Sequence, residues 1–544
     1  MNHTQKCLQE ALFRPFSGRL IGLFFSVYLG LAATTGKCAD PSDPILNLLL
    51  QKGIVTQDEV QKAKAEAEAI RTNEFANAMP SMASKWKISN AIKNIELFGD
   101  ARIRYEYRKA TAPDDSRLEL DRARFALRVG LRGEAFDDFY YGLRLETAAN
   151  PRSPWVTMGT SSSGVPYQGP YGKSTSIIYL GQVYLGWRPG NWFDITLGRM
   201  PNPLYTTPMV WDSDLNPEGA AEQFKYTIGE ADFFATFGQF LYQDTNPTYA
   251  SPGYGFNGFL GQRTTPIFQL AYEAGMTYHF PKDVTAKMAA AIYQYVGMQT
   301  NVSPFFGDPF VGEGAFTGNS SANPINGASG YGTSNTLLGN ESLGFPNNQV
   351  GLNHLLILEI PAEVNFPIWK LNGRLFGDFA YNLEGAQRAE EAAAGYASYL
   401  SFQNSIAPVS VKSFSPQRND VKAYQVGLGV GNAGHVYGPM QGLVYGTSSK
   451  KHNWEVRAYY QHVEQYALDP NLLDSDFFEG RGNLEGFYTA VAYSLTDNVI
   501  GTIRYGYATR INDKLGTGGS NQDIPQVNPI SRYNLIQLDL TLRF

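Results

Sequence analysis

The stretch DRARFALRVGLRGE, residues 121–134, decides the fold class. It sets Phe125, Leu127, Val129 and Leu131 on one side and Arg122, Arg124, Arg128 and Arg132 on the other. That period of two belongs to a β-strand, whose successive side chains point to opposite faces. Its neighbours repeat the pattern. ARIRYEYRK (101–109) places Ile103, Tyr105 and Tyr107 opposite Arg102, Arg104, Glu106 and Arg108. YYGLRLE (140–146) places Tyr141, Leu143 and Leu145 opposite Arg144 and Glu146.

Outward from there the alternation predicts strands at 96–109, 119–133, 138–148, 176–188, 192–200, 220–228, 230–240, 268–280, 283–296, 353–365, 369–383, 420–433, 451–463, 485–495, 498–509 and 531–544. That is about sixteen, an even number of the kind that closed membrane barrels use. Pro361 inside one of them argues against a fully paired strand, because proline has no N–H to donate. The connections alternate. Short ones fall at 135–137, 189–191, 229, 281–282, 367–368 and 496–497; between them lie long Gly/Ser/Asn/Pro-rich stretches such as 149–175, 297–352 and 385–419. Tight turns on one side and long loops on the other are a membrane-barrel trait. The stretch from about 433 to 450 breaks the rule, being too long for a tight turn.

Composition agrees. The 544 residues are 13% aromatic and only 17% charged, with 55 Gly, against the roughly 25% charge of soluble domains. A mean hydropathy of -0.27 is too polar for a bundle of membrane helices. A barrel shows lipid only every second residue, which reconciles the two. The net charge of -6 argues against a nucleic-acid partner.

Arg14 and Arg19 precede the apolar run Leu20 to Ala33, the layout of a secretory signal peptide. The run is shorter than the ~20 residues a spanning helix needs. The expected organisation is therefore a signal peptide at 1–39, a short periplasmic helical segment at 40–80, and a barrel at 81–544. Within the helical segment, Asp43-Pro44 starts one helix, and Thr56 with Glu59 forms a capping box before a second. Cys7 and Cys38 both lie in or beside the export segment, so no disulfide is expected in the mature chain. Lipidation of Cys38 is disfavoured by Lys37, which stands where a small residue is required.

The last twelve residues, YNLIQLDLTLRF, place Ile536, Leu538, Leu540, Leu542 and Phe544 on one face. An amphipathic final strand ending in an aromatic residue is similar to the assembly signal of outer-membrane barrels. Together with LFGDARIRYEYR, DRARFALRVGLRGE, LGRMPNP and VWDSDLNPEGAAEQF, and with the Leu-rich helical preface, the chain resembles the bacterial putative porin family over almost its whole length. The resemblance implies an outer-membrane diffusion channel, contact with membrane lipids and lipopolysaccharide, and a homotrimer like those of general diffusion porins.

In a wet barrel the inward residues tune selectivity. Arg102, Arg104, Arg122, Arg124, Arg128 and Arg144 lie on the polar faces of the first three strands, and Arg457 and Arg504 on strands near the closing seam. They are expected to form a basic wall, with small polar or anionic solutes favoured. Counting hairpins makes Pro201 to Gly219 the third outer loop, carrying Asp212, Asp214 and Glu218. Folded inward, these acids would face the arginines across a constriction. Outward Tyr105, Tyr107, Tyr141, Trp187 and Tyr505 suit aromatic girdles. No cofactor or metal pattern stands out. The rival readings are an adhesin-like or structural barrel with an occluded pore, and a barrel hydrolase using His279 on a polar face.

Overall fold

The computed structural model describes residues 91–148, 153–159, 177–243, 267–296, 354–394, 415–433, 440–447, 450–518, 523–524 and 527–544. The expected signal peptide and helical segment lie outside the described residues. The strands are β1 (Glu96–Thr111), β2 (Arg117–Glu134), β3 (Phe139–Ala148), β4 (Val156–Thr157), β5 (Ile177–Gly190), β6 (Phe193–Arg199), β7 (Glu218–Ile228), β8 (Ala231–Gln243), β9 (Ile267–Phe280), β10 (Val284–Val296), β11 (Leu356–Ile368), β12 (Leu371–Asn382), β13 (Lys422–Gly431), β14 (Trp454–Val463), β15 (Leu484–Ser494), β16 (Val499–Arg510) and β17 (Arg532–Arg543).

β4 is a short arm against Arg124 and Phe125 of β2. The other sixteen form one antiparallel wall that closes where β1 pairs with β17, with Ile103 opposite Leu540 and Tyr107 opposite Ile536. The terminal residue completes the seam: the Gly99 N–H donates to the Phe544 carbonyl at 2.9 Å and the Phe544 N–H returns to Gly99 at 3.1 Å. Closure leaves no free edge strand among the described residues of the wall, as a hydrocarbon surround demands.

The alternation sorts the side chains as the sequence requires. Leu127, Leu143, Leu185, Leu375, Leu428 and Ile503 stand exposed on the outside, while Arg104, Glu106, Arg108, Glu273, Glu359 and Asp378 are buried inside. An apolar exterior this extensive suits lipid rather than water. Aromatic rings gather beside the tight turns: Trp187 lies 6.3 Å from Phe193 and 6.4 Å from Phe139, and Phe193 lies 5.1 Å from Phe224. Tyr105 and Tyr107 lie in the half of β1 nearer the long loops.

Pro361 sits within β11, and the ladder shows how it is tolerated. β10–β11 pairing skips from Met288↔Ala362 to Ala291↔Glu359, leaving Ile360 and Pro361 without partners on that side. The tight turns use left-handed backbone, with φ of 47° at Asp137, 65° at Asp138 and 57° at Gly229.

The overlong connection after β13 has a physical reason: part of it turns back into the lumen. Leu443 and Val444 are buried there, and the Val444 N–H donates to Glu455 Oε2 at 3.1 Å.

Candidate functional site

The third outer loop, residues 200–217, folds into the barrel and is pinned to the far wall by carboxylates. The Tyr205 N–H donates to Glu273 Oε1 at 2.8 Å, the Thr206 hydroxyl to Glu359 Oε1 at 2.6 Å, and the Thr207 hydroxyl to Asp378. These acids come from β9, β11 and β12. Trp211 packs edge-on against Phe240 of β8 at 6.1 Å. Such ties hold the loop in one place.

The loop does not act alone. The seventh loop, residues 464–483 between β14 and β15, also folds inward and joins it. The Asp212 N–H donates to the Leu472 carbonyl at 2.6 Å, and Asp212 Oδ2 accepts from the Ser475 hydroxyl at 3.1 Å. Beneath this seam lies a run of acids whose ionisation differs. Burial, with the neighbouring Asp214 charge, pushes Asp212 up to about 7. Burial and the charges of Asp212 and Asp476 hold Asp474 well above the usual carboxylate range. Burial acts on Asp476 in the same sense, but the guanidiniums of Arg104 and Arg108 overcome it and hold it down at about 2.

Opposite stand the arginines of β1 and β2. Arg104 is bridged to Asp476 at 2.7 Å and to Asp539 of β17 at 2.7 Å, with Trp155 stacked 4.1 Å from its guanidinium carbon. Arg108 reaches Glu106 at 3.0 Å and Asp523 of the eighth loop at 3.2 Å. Arg122 meets Asp523 at 2.6 Å. Arg128 lies 3.0 Å from Asp100 and 3.3 Å from Asp214. Arg102 pairs with Asp100 at 2.6 Å, Arg144 with Glu146 at 3.3 Å, and Arg124 stands 3.7 Å from Glu106.

The expected residues thus divide. The arginines of β1–β3 do line one side of the lumen, and Asp214 faces them. Asp212 is turned from the wall and ties two loops together. Arg457 and Arg504 are inward but spend donors on the returning turn: Arg457 Nη2 donates to the Gln441 carbonyl at 2.7 Å, and Arg504 Nη2 to the Val444 carbonyl at 2.7 Å. Glu218 requires a correction. It is the first residue of β7, shares the outward parity of Phe224 and Tyr226, stands exposed, and pairs with Arg199. A loop boundary two residues too late, at Gly219 rather than Pro217, put it in the lumen. Asp474, Asp476 and Asp523 were missed, because nothing in the composition of a Gly- and Asn-bearing loop says that it folds inward. The carboxylates Glu273, Glu359 and Asp378 carried a usable signal, since each lies on the polar parity of its strand.

Two cavities lie between the inward loops and the tight-turn end, separated by Ser213 and Met440, which line both. One, of about 580 Å³, is walled by the arginines together with Tyr445, Tyr459 and Tyr488. The other, of about 770 Å³, is roofed by Tyr205 and carries Lys287, whose ammonium sits 4.0 Å from the Tyr205 ring centre. His279 bonds Asp232 through Nε2 at 2.8 Å near a tight turn.

Among solved structures, the chain is similar to the high-pH structure of OprB of Pseudomonas putida, at 12% identity and a TM-score of 0.42 over 83% of this chain and 94% of that one. It is also similar to outer-membrane-expressed OmpT of Vibrio cholerae, at 8% identity and a TM-score of 0.34 over 84% and 99%. The trimer form of in-vitro-folded OmpT matches at 9% identity and 0.36 over 83% and 99%. No curated protein matches significantly. The putative porin family model, however, matches residues 109–544, which takes in the barrel from the end of β1 to the last residue. The chain belongs to the putative porin family, and its barrel is an outer-membrane channel of the bacterial envelope.

Proposed function

We propose that the chain is a passive diffusion channel for small hydrophilic solutes, and that its selectivity is set where the arginines of β1 and β2 meet acids carried inward by the third, seventh and eighth loops. The observation that carries the reading is the contact of Arg128 with Asp214 at 3.3 Å and of Arg104 with Asp476 at 2.7 Å. Opposed charges across a narrow, low-dielectric gap create a field along which polar solutes orient. No catalytic step is proposed, since the reading is of a conduit. The test is planar-bilayer recording of the purified protein. Discrete steps of KCl current are expected; their absence at any protein concentration would overturn the reading.

An adhesin-like barrel with a closed pore is favoured by one observation. Trp211 and Val210 of the third loop, Leu473 and Phe477 of the seventh, and Ile524 of the eighth belong to one buried apolar cluster inside the wall. Liposome swelling in small sugars separates the two readings: swelling favours the channel.

A homotrimer remains our proposal, and one feature of the wall supports it. Glu222, near the middle of β7, shares the outward parity and accepts from Gln239 Nε2 at 2.9 Å. A carboxylate on the lipid face costs free energy unless another protein surface covers it. Outer-membrane lipids, including lipopolysaccharide, would meet the exposed Arg117 and Arg532 at the long-loop fringe.

A further inference from the structure

The arginine-lined cavity is close to electrical balance, and that bears on which solute it holds. Six of its seven arginines are matched: Arg102 and Arg128 by Asp100 at 2.6 and 3.0 Å, Arg104 by Asp476 at 2.7 Å, Arg132 by Glu96 at 2.7 Å, Arg144 by Glu146 at 3.3 Å, and Arg504 by Asp539. The seventh, Arg543, stands across the β1–β17 pairing from Asp100 with no ion pair of its own among the described residues. Asp214 adds a further acid beside Arg128 at 3.3 Å. A free anion entering here gains little, because six of the seven guanidiniums already have a carboxylate, and a cation meets the same pairing from the other side.

Hydrogen-bonding capacity is left over all the same. A guanidinium has five N–H donors and an ionised carboxylate about four acceptor sites, more than the pairs consume. The Nε groups of Arg144 and Arg543 are buried without a hydrogen-bond partner among the described residues. Tyr445, Tyr459 and Tyr488 also line it, with Tyr459 and Tyr488 stacked at 4.8 Å. Their hydroxyls both donate and accept. Asp474, also in the lining, is buried and held above the usual carboxylate range, which favours the acid form and the donor it carries. The volume of about 580 Å³ falls within the range of small-molecule sites.

We infer that this cavity is a subsite for a neutral polyhydroxylated solute, a sugar or polyol, which uses the spare donors and acceptors of the Arg–Asp pairs without disturbing their charge balance. The inference rests on the channel reading and narrows it, setting aside the anion preference that the count of arginines alone suggests.

The test is planar-bilayer recording of the full-length mature protein in a KCl gradient, followed by titration with glucose and then sucrose. For the wild type, chloride and potassium permeabilities within about twofold of each other are expected, with a saturable fall in current on adding sugar. Asp100→Asn leaves Arg102 and Arg128 one anion short; chloride permeability should rise at least about threefold over potassium and the sugar effect should weaken. Strong chloride selectivity in the wild type, or conductance that no sugar alters, would overturn the inference while leaving the channel reading intact. If no current appears, the channel reading fails, and quenching of tryptophan fluorescence by glucose on the folded protein decides the subsite: saturable quenching lost in Trp155→Phe supports it, and none refutes it.

Discussion

Asp476 and Arg104 stand 2.7 Å apart although 372 positions of sequence separate them, and through Arg104 the seventh loop is joined to β1 and to Asp539 of β17. The inward loop is therefore fastened to the closing seam of the barrel. Asp476→Asn should loosen that fastening while Asp539 keeps Arg104 in place. The expected outcome is larger open-channel current noise with an unchanged wall, the first read by single-channel recording and the second by heat-modified mobility on a gel.

Burial of Asp212 makes the seam between the third and seventh loops sensitive to pH. Its carboxyl is pushed up to about 7 from an ordinary 3.8. The folded state therefore holds its proton through a range where the unfolded chain has lost it. Stability contributed by this group is full below the ordinary value and falls as pH rises toward about 7. Above that, its charge faces Asp214, Asp474 and Asp476, and Ser475 is its hydroxyl partner. Current fluctuations should grow between about pH 5 and pH 8 in the wild type and stay level in Asp212→Asn.

A second tie sits deeper. Arg481 and Glu479 are both fully buried and 3.1 Å apart, and Arg481 also donates to the carbonyls of Thr517, Ile524 and Val527, joining the seventh loop to the eighth. Arg481→Met removes the nearer partner of Glu479 and leaves it Arg108 at 3.6 Å, so the cost lies below the about 3–5 kcal/mol of a fully broken buried pair. Limited proteolysis from the outside should then cut within the seventh or eighth loop, where the wild type is expected to resist.

Tyrosine rings lie across glycines on neighbouring strands near the tight turns. A Cβ at Gly186 would overlap the Tyr140 ring, and one at Gly142 the Tyr184 ring. Gly186→Val should destabilise the wall by about 1–3 kcal/mol, the usual cost of overpacking. A lower midpoint temperature for loss of the folded band in gel electrophoresis is the check.

The wall was legible in the sequence almost residue by residue. Arg128 and Leu127 must take opposite faces of any strand, so a hydrophobic-polar period of two over a long segment admits one sorting. The termini of β1, β9 and β15 follow where that period stops. The inward path of the loops was not legible. Asp476 and Asp214 meet the arginines through contacts made by whole loops, and loop sequence carries turn preferences but no long-range address. Glu218 shows the intermediate case: its parity could be read, but its membership in the strand depended on a shift of two residues in the boundary. The inward return of Leu443 and Val444 announced itself only as an overlong turn.

The measurement that bears most directly on the account is the reversal potential of an Asp214→Asn/Asp476→Asn double variant in a KCl gradient across a planar bilayer. Arg128 and Arg104 then each lose the loop acid that faces them, and the account predicts a displacement toward the chloride equilibrium potential with discrete conductance steps retained. A variant that conducts with the reversal potential of the wild type would show that the permeation path does not pass between these arginines and the inward loops.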